Sequence, residues 1–208
     1  MKEVSVSILN GDSFLKSTEA LNSTNANYIH LDVMDGKFVN NSFLTPSEMV
    51  KVVEKTNKKV DVHLMVNNPE PYIKKLALYD ISYITIHYEI KNFSSYLDMI
   101  KSFGFKAGVA IKPNTDVEDI YDILDKVSLV LVMSVEPGLS GQSFIYETED
   151  KINKLKGEIK KRGLNVKISV DGGVNDEVLP YVANADILVS CSYIWQDLNN
   201  ISKLQENL

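Results

Sequence analysis

The sequence predicts an α/β protein folded as a (β/α)8 TIM barrel. Eight short runs rich in β-branched residues alternate with longer amphipathic segments along the 208 residues, which is the pattern of repeated strand–helix units. Such units imply parallel strands joined by right-handed crossovers. No G-x-G-x-x-G motif follows the first run, and the spacing is even, so a closed barrel is favoured over an open doubly wound sheet. We expect a single catalytic barrel domain over residues 1–208.

The predicted strands are short runs rich in β-branched and other apolar residues, as expected for the buried strands of a barrel. In chain order they are VSVSIL from Val4, YIHLDV from Tyr28, KVDVHLMV from Lys59, YITIH from Tyr83, KAGVAI from Lys106, LVLVMS from Leu129, VKISVD from Val166 and ILVSC from Ile187.

Three segments between the strands carry helix signals. TPSEMVKVVEKT has Thr45 at the N-cap, Pro46 at the first helical position and Glu48 three residues after the cap, which is a capping box. NPEPYIKKLALY and DVEDIYDILDKV place acidic residues early and lysines late, as the helix dipole favours. We expect helices at all three segments.

Composition and charge exclude several classes of protein. A net charge of −6 argues against a general nucleic-acid binder. The one cysteine, Cys191, excludes a disulfide framework within the chain and a cysteine zinc finger, and its apolar surroundings predict a buried thiol rather than a nucleophile. No run approaches a membrane span of about 20 apolar residues, and the first apolar run is too short for a signal peptide. A cytoplasmic protein with no membrane partner is expected.

Polar side chains gather at the carboxyl ends of the predicted strands, where TIM barrels carry their active sites. In YIHLDVMDGKF, strand alternation places His30, Asp32 and Met34 on one face. His63 lies on the third strand and Asp171 ends the seventh. Two imidazoles and two carboxylates at the ends of three strands predict a divalent-metal site, of a kind that suits zinc, manganese, iron or cobalt.

Three other polar residues have different interpretations. His87 closes the fourth strand, where it is either a ligand or a histidine in the core or behind the ligands. Asp35 precedes Gly36 and is interpreted as a turn residue. Asp61 shares a strand face with His63, so we expect a buried, hydrogen-bonded carboxylate below the site.

Glycine-rich loops give a second signal. EPGLSGQSF follows the sixth strand, DGGV follows the seventh, and SCSYIW follows the eighth. In TIM barrels, the loops after strands seven and eight frequently bind phosphate through backbone amides, and glycine lets the backbone approach a ligand closely. The loops therefore predict a phosphate site, with simple turns as the alternative.

These motifs together resemble the ribulose-phosphate 3-epimerase family. VSILNGDSF, IHLDVMDGKFVNN, DVHLMV, ITIHYE, VMSVEPGLSGQSF, ISVDGGV and LVSCSYI are similar to signatures of that family, in the same order and almost end to end. The resemblance implies a barrel of the ribulose-phosphate-binding type. It also implies a metal-dependent isomerase of the pentose phosphate pathway that interconverts D-ribulose 5-phosphate and D-xylulose 5-phosphate. Proton transfer at C3 would run between two aspartates, through a metal-stabilised enediolate.

Carried over position by position, the resemblance implies specific roles. The metal ligands would be His30, Asp32, His63 and Asp171, and the two aspartates would also be the catalytic acid and base. Ser7 and His63 would contact substrate. The positions that match the phosphate-binding loops and their neighbours are Gly138, Leu139, Ser140, Gly141, Gly172, Gly173, Cys191 and Ser192. The methionines that match the pocket lining are Met34, Met65 and Met133.

The resemblance also implies a cofactor and an assembly. The cofactor would be one divalent metal ion, with zinc as the first choice and iron, manganese or cobalt as alternatives. The partner would be a small sugar phosphate, and the protein would form a homo-oligomer, a dimer or a hexamer.

The chain departs from the family pattern in its loops and not at the four ligand positions. Asn40 stands where the family usually has proline, and Leu139-Ser140 replace two residues of a GFGG motif. Cys191 stands where a glycine precedes Ser192, which adds a side chain beside the expected phosphate amides. Phosphate affinity and substrate identity are therefore the properties that the departures affect.

Other functions compete with this one. An epimerase of another ketose phosphate, such as allulose 6-phosphate, would share the metal and both aspartates. A lyase or decarboxylase on a related barrel would place lysine in a D-x-K-x-x-D pattern, which the sequence lacks. A metal hydrolase commonly has an H-x-H pair on the first strand, which here reads VSVSIL. The altered loops suggest a non-catalytic sugar-phosphate binder, although a binder has no need of two opposed carboxylates.

Overall fold

Eight parallel strands close into a barrel in the computed structural model, which describes residues 1–10 and 13–206. Closure occurs at β1 (Glu3–Ser7), which pairs in parallel with β2 (Tyr28–Asp35) on one side and β9 (Ile187–Ser190) on the other. The predicted TIM barrel is therefore confirmed. Residues 11 and 12, within the VSILNGDSF motif, and residues 207 and 208 lie outside the described residues.

The elements alternate as the sequence predicts. The other strands are β3 Ser42–Phe43, β4 Lys59–Met65, β5 Tyr83–His87, β6 Ala107–Ile111, β7 Leu129–Met133 and β8 Lys167–Asp171. The α-helices are α1 Phe14–Asn22, α2 Pro46–Lys55, α3 Glu70–Leu76, α4 Phe93–Ser102, α5 Thr148–Arg162, α6 Ser192–Gln196 and α7 Asn200–Gln205. Two 3-10 helices span Val117–Lys126 and Leu179–Val182. None of the helices in the described part of the chain combines the length and apolar character needed to cross a bilayer.

Local sequence chemistry explains where α2 begins. The Thr45 side chain accepts a hydrogen bond from the Glu48 backbone N–H, and the Glu48 carboxylate accepts one from the Thr45 N–H. These reciprocal bonds satisfy two N–H groups that a helix end leaves without partners. The predicted capping box, with Pro46 in the first turn, is confirmed.

The segment DVEDIYDILDKV is a 3-10 helix rather than an α-helix, over Val117–Lys126. Aspartate recurs every third residue through it, at 116, 119, 122 and 125. Aspartate competes with the helical backbone for hydrogen bonds and is a poor α-helix former. A repeat of three also matches the 3.0 residues per turn of a 3-10 helix, which keeps these side chains together on the outer edge.

The inside of the barrel is divided by polarity. One side is apolar and is formed by Leu129, Leu131, Met133, Ile187 and Val189 of β7 and β9. The other side consists of buried polar residues on β1, β2, β4 and β5: Ser5, Ser7, His30, Asp32, Asp61, His63, Thr85 and His87. Buried polar groups are costly unless they are hydrogen-bonded or bind a ligand. The polar side of the barrel therefore marks the site.

Strand register then sets which of these residues are neighbours. Along β2 and β4, His30 lies beside Asp61 and Asp32 beside His63. On the far side of the barrel, Met133 of β7 lies beside Asp171 of β8. The short strand β3, which the sequence did not indicate, pairs antiparallel with Met34 and Asp35 at the end of β2. The site thus lies at the carboxyl ends of the strands, with β3 at its rim.

Candidate active site

Four side chains converge at the carboxyl end of the barrel, and they are the four predicted metal ligands. Each of His30, Asp32, His63 and Asp171 offers one nitrogen or oxygen atom, and these atoms all lie within 4.8 Å of one another. His30 Nε2 is 3.4 Å from Asp32 Oδ1 and 3.9 Å from Asp171 Oδ2, and His63 Nδ1 is 3.3 and 3.7 Å from the same two oxygens. The group could hold a metal ion.

The hydrogen bonds of His30 favour this interpretation. Its Nδ1 lies 2.8 Å from Asp61 Oδ2, and the same oxygen accepts a hydrogen bond from Ser5 at 3.0 Å. Asp61 is thus the buried, hydrogen-bonded carboxylate that the sequence predicts. With the Nδ1 proton held by Asp61, His30 Nε2 faces the cluster, and it is a buried nitrogen without a hydrogen-bond partner. A metal ion would satisfy this lone pair, so the donor set fits a divalent cation such as zinc.

The pKa values of the two aspartates in the cluster are shifted in opposite directions. Burial disfavours the charge of Asp32, yet His30 and His63 beside it hold its pKa well below the usual value. Ser7 also donates a 2.6 Å hydrogen bond to Asp32 Oδ2. Asp171 differs, because burial and the nearby charge of Asp32 raise its pKa to about 6. One carboxylate is therefore firmly ionised, and the other takes up a proton near neutral pH.

His30 carries the compensating charge in the metal-free cluster. Burial disfavours its imidazolium, but the carboxylates of Asp32 and Asp61 together raise its pKa well above the usual value. A proton on Nε2 occupies the position that a metal ion would take. Proton and metal therefore compete for the same nitrogen.

His87 lies behind the cluster rather than in it. Its Nε2 is 2.9 Å from Nε2 of His63, and its Nδ1 is 3.1 Å from Glu89 Oε2. Burial lowers the pKa of His87 to about 4 despite the neighbouring carboxylate. The question that the sequence left open is thus answered in favour of a neutral histidine behind the ligands.

A cavity opens onto the two aspartates of the four-residue cluster. Met34, Met65 and Met133 line its wall, with Ser7, Asp32 and Asp171 at its base. The predicted phosphate-loop residues that surround it are Gly138, Leu139, Ser140, Gly141, Gly172, Gly173, Cys191 and Ser192. The cavity thus brings together the predicted contact residues except His63, which is fully buried and does not line it, and their roles stay predictions.

Glycine is required at two of these positions. Gly172 and Gly173 have φ values of +120° and +64°, which are unfavourable for residues with a Cβ. A Cβ on Gly173 would also lie 2.6 Å from the backbone nitrogen of Phe144, and one on Gly172 would lie 2.4 Å from the Val135 side chain. The DGGV turn therefore packs backbone against backbone beside the cavity.

Cys191 corrects one prediction. It is partly exposed at the cavity rather than buried in the core, because β9 ends at Ser190 and Cys191 is the N-cap residue of α6. Its thiol donates to the Leu9 carbonyl at 3.1 Å. Although the residue is partly exposed, partial burial desolvates the thiol and raises its pKa to about 12, so the side chain stays protonated, in keeping with the prediction that it is not a nucleophile.

Asp35 is the turn residue that the sequence indicates. One carboxylate oxygen accepts hydrogen bonds from the backbone N–H groups of Lys37 and Phe38, and the other accepts one from Asn67. The side chain thus holds the loop after β2 and is not turned toward the cluster.

Sequence reasoning missed several residues that shape the site. Glu89 stands behind His87, two residues along the chain, and the ITIHYE motif contains it. Gln142 braces the loop after β7 by donating to the carbonyls of Glu136 and Leu139. Asn41 donates to the Gly138 carbonyl at 3.2 Å, so the loops after β2 and β7 are tied together. The Asn41 contact joins segments 97 residues apart, which no local pattern reveals. The Glu89 and Gln142 contacts are short-range, but a sequence motif does not show which way these side chains turn.

Comparison with known proteins agrees with the family resemblance that the sequence motifs show. The profile of the ribulose-phosphate 3 epimerase family matches residues 3–195. A ribulose-phosphate 3-epimerase of Helicobacter pylori J99 is 36% identical, over 93% of this chain and 91% of that protein. One of Methanocaldococcus jannaschii is 38% identical, over 94% and 85%, and one of Bacillus subtilis is 37% identical, over 94% and 93%.

Solved structures support the fold independently. The tryptophan synthase α-subunit of Pyrococcus furiosus superposes with a TM-score of 0.67 at 18% identity, over 98% of this chain and 96% of that one. The subunit from Campylobacter jejuni gives a TM-score of 0.65 at 15% identity, over 100% and 95%. At such low identity the likeness concerns the barrel alone.

Proposed function

The chain belongs to the ribulose-phosphate 3-epimerase family and is a carbohydrate epimerase, and on that basis we propose that it interconverts D-ribulose 5-phosphate and D-xylulose 5-phosphate. The observation that carries this proposal is the convergence of two aspartates, buried Asp32 from β2 and partly exposed Asp171 from β8, on the base of one cavity. In the metal-free protein their pKa values also move in opposite directions, and acids separated in this way supply a base and an acid at the same pH.

The proposed reaction moves one proton at C3 of the sugar. One aspartate removes the C3 proton from one face of the carbon, and the other returns a proton to the opposite face. In the reverse direction the two exchange roles. The Ser7 hydroxyl holds Asp32 by its Oδ2 atom, which fixes the orientation of that carboxylate and leaves Oδ1 on the side of the histidines.

A divalent ion would be held by His30, Asp32, His63 and Asp171, the four residues that form the cluster. When bound, it supplies Lewis-acid stabilisation of the negative charge that develops on the sugar oxygens. Zinc is our first choice, because two imidazoles and two carboxylates around one point suit it. Manganese, iron and cobalt suit the same donors.

The remaining cavity residues are proposed to position the sugar phosphate. Met34, Met65 and Met133 present apolar side chains that carry no exchangeable proton, so the two aspartates are the groups that exchange protons with C3. The phosphate is proposed to lie against the loops that contain Gly141, Gly173 and Ser192, since all three surround one end of the cavity.

The experiment that tests the function is NMR of ribulose 5-phosphate incubated in D2O with protein loaded with zinc. Formation of xylulose 5-phosphate with deuterium at C3 is the expected result, because the returned proton comes from a solvent-exchanged carboxyl group. An absence of both product and exchange, with zinc bound, would refute the pentose assignment. A parallel incubation with allulose 6-phosphate then separates the hexose alternative, which the altered loop at Leu139, Ser140 and Cys191 favours, from a non-catalytic binder.

A further inference from the structure

His87 and Glu89 form a chain of hydrogen bonds that ends on one of the proposed metal ligands. His63 and His87 are both fully buried, and their Nε2 atoms are 2.9 Å apart. At that distance one nitrogen donates and the other accepts. Which of the two donates decides which nitrogen of His63 is free to bind a metal ion.

Glu89 determines the direction of the chain. An ionised carboxylate only accepts hydrogen bonds, so His87 Nδ1, 3.1 Å from Glu89 Oε2, carries the proton. His87 Nε2 then bears the lone pair and accepts from His63 Nε2–H. His63 Nδ1 is left unprotonated, and it faces Asp32 at 3.3 Å and Asp171 at 3.7 Å. The opposite direction would place an unprotonated His87 Nδ1 against the Glu89 carboxylate, two acceptors with nothing between them. The unprotonated His63 Nδ1 instead meets the Asp32 and Asp171 oxygens across the position where the metal ion would be held.

Glu89 is itself fixed in place. Its Oε1 atom accepts hydrogen bonds from the Lys112 backbone N–H at 2.8 Å and from the Thr115 hydroxyl at 2.5 Å. Lys151 holds the same loop by donating to three of its carbonyls, those of Lys112, Pro113 and Thr115. The carboxylate is therefore anchored to the loop after β6, on the side away from His87.

We propose that His87 and Glu89 are positioning residues that hold His63 in the tautomer whose Nδ1 atom binds the metal ion. The inference rests on the proposed function, since it assumes a metal at the four-residue cluster. His30 is held in the complementary way, because Asp61 takes its Nδ1 proton and leaves Nε2 for the metal. The two ligand histidines therefore present different ring nitrogens, each fixed by its own carboxylate.

A purely structural role for His87 is the competing explanation, because the ring also packs against Phe38 with centroids 4.6 Å apart. The two explanations differ in what they require at position 87. Packing against Phe38 requires a side chain of similar volume. The proposed hydrogen-bond relay requires a hydrogen-bond acceptor at the position of His87 Nε2. His87→Phe keeps the volume and removes the acceptor, and His87→Gln restores an amide oxygen near that position.

The first test measures zinc affinity by competition with a chromophoric chelator. We expect His87→Phe and Glu89→Gln to weaken zinc binding by about 10- to 100-fold, the usual effect of losing a group that orients a ligand, and His87→Gln to recover most of it. Glu118→Gln is the matched control, because it removes an exposed carboxylate paired with Lys154 and leaves the cluster alone. Equal affinities for the wild type, His87→Phe and Glu89→Gln would overturn the proposal.

The second test reads the tautomers directly and does not depend on turnover. The chain has three histidines, so long-range ¹H–¹⁵N NMR spectra contain three imidazoles, which single substitutions assign. In zinc-loaded protein we expect a protonated Nδ1 on His87 and a protonated Nε2 on His63. A proton on Nδ1 of His63 in zinc-loaded protein would overturn the proposed tautomer, whether or not the protein is an epimerase. Correct tautomers and zinc affinities without epimerase activity would instead refute the proposed function alone.

Discussion

At the scale of single residues, substitution of Asp171 is the most direct test of the proposed proton transfer. An amide cannot accept the C3 proton, so Asp171→Asn should reduce epimerisation by at least about 1,000-fold, in the range that loss of an acid–base group gives. The measurement is turnover of ribulose 5-phosphate with zinc occupancy checked in parallel. Retention of full activity by a zinc-loaded variant would refute the acid–base role.

The same substitution should have the opposite effect on the stability of the metal-free protein. The pKa of Asp171 in the folded protein, about 6, lies above its ordinary value of 3.8, so the native state binds this proton more tightly than the unfolded chain does. Its contribution to stability is then complete below pH 3.8 and is lost as the pH rises through 6. Asparagine does not ionise, and Asp171→Asn should raise the Tm of metal-free protein at pH 7.5 by on the order of 5 °C.

Thermal unfolding at two pH values checks this expectation. Near pH 4 the wild type and the variant should have similar Tm values, because Asp171 is then protonated in the native state. Adding zinc at pH 7.5 should stabilise the wild type more than the variant, which keeps three of the four proposed ligands. A Tm difference that does not change between the two pH values would show that ionisation of Asp171 is not the cause.

Cys191 tests the departure from the family pattern. It stands beside the proposed phosphate position, where its thiol donates to the Leu9 carbonyl. Cys191→Gly removes the side chain, so kcat should be unchanged and KM for the sugar phosphate unchanged or lower. Cys191→Ala, which keeps the Cβ, is the matched control for loss of the thiol bond alone. A sharply raised KM in the glycine variant alone would show that the side chain supports the loop.

At the scale of elements, the capping box of α2 makes a prediction that is separate from catalysis. Thr45→Ala removes the side-chain acceptor for the Glu48 N–H, which should lower the free energy of unfolding by about 1 kcal/mol. Urea denaturation measures it, and epimerase activity should not change. The control is Ser47→Ala, which deletes an exposed hydroxyl two residues later. Equal losses in both variants would mean that the box contributes nothing specific.

The elements also show what the sequence could and could not predict. The eight barrel strands were predictable, because each is a short apolar run bounded by turn residues. The four clustered residues were predictable too, since alternation in a strand and the shared carboxyl edge of a barrel bring them together. β3 was not, because two residues form a strand only when Met34 and Asp35 are already in place beside them.

The hydrogen bonds that link Glu89, His87 and His63 could not be predicted from the sequence either. It depends on contact between rings of β4 and β5 and on a loop after β6 that fixes the carboxylate. A motif shows that His87 and Glu89 are two residues apart. It does not show which imidazole nitrogens of His87 and His63 carry the protons. Long-range contacts of side chains are decided by packing, which local patterns do not record.

At the scale of the whole molecule, metal binding should stabilise the fold. In metal-free protein, one buried carboxylate, one partly exposed carboxylate and two buried imidazoles lie close together at a cost in free energy. Zinc at about 100 times its Kd should add about 2.7 kcal/mol, which for a chain of this length raises Tm by about 5 to 10 °C. Scanning calorimetry with and without a chelator measures the difference. A Tm that a chelator does not lower would argue against a metal at this site.

The tie between the loops after β2 and β7 has a kinetic consequence. Asn41 donates to the Gly138 carbonyl, and the Val39 side chain packs against Gly138. We expect the two loops to move together when the proposed sugar phosphate passes this side of the rim, because neither loop separates from the other without breaking these contacts. The rate of product release should therefore depend on how often the contacts of Asn41 and Val39 with Gly138 break. A more viscous solvent should slow turnover more than it slows the exchange of the C3 proton.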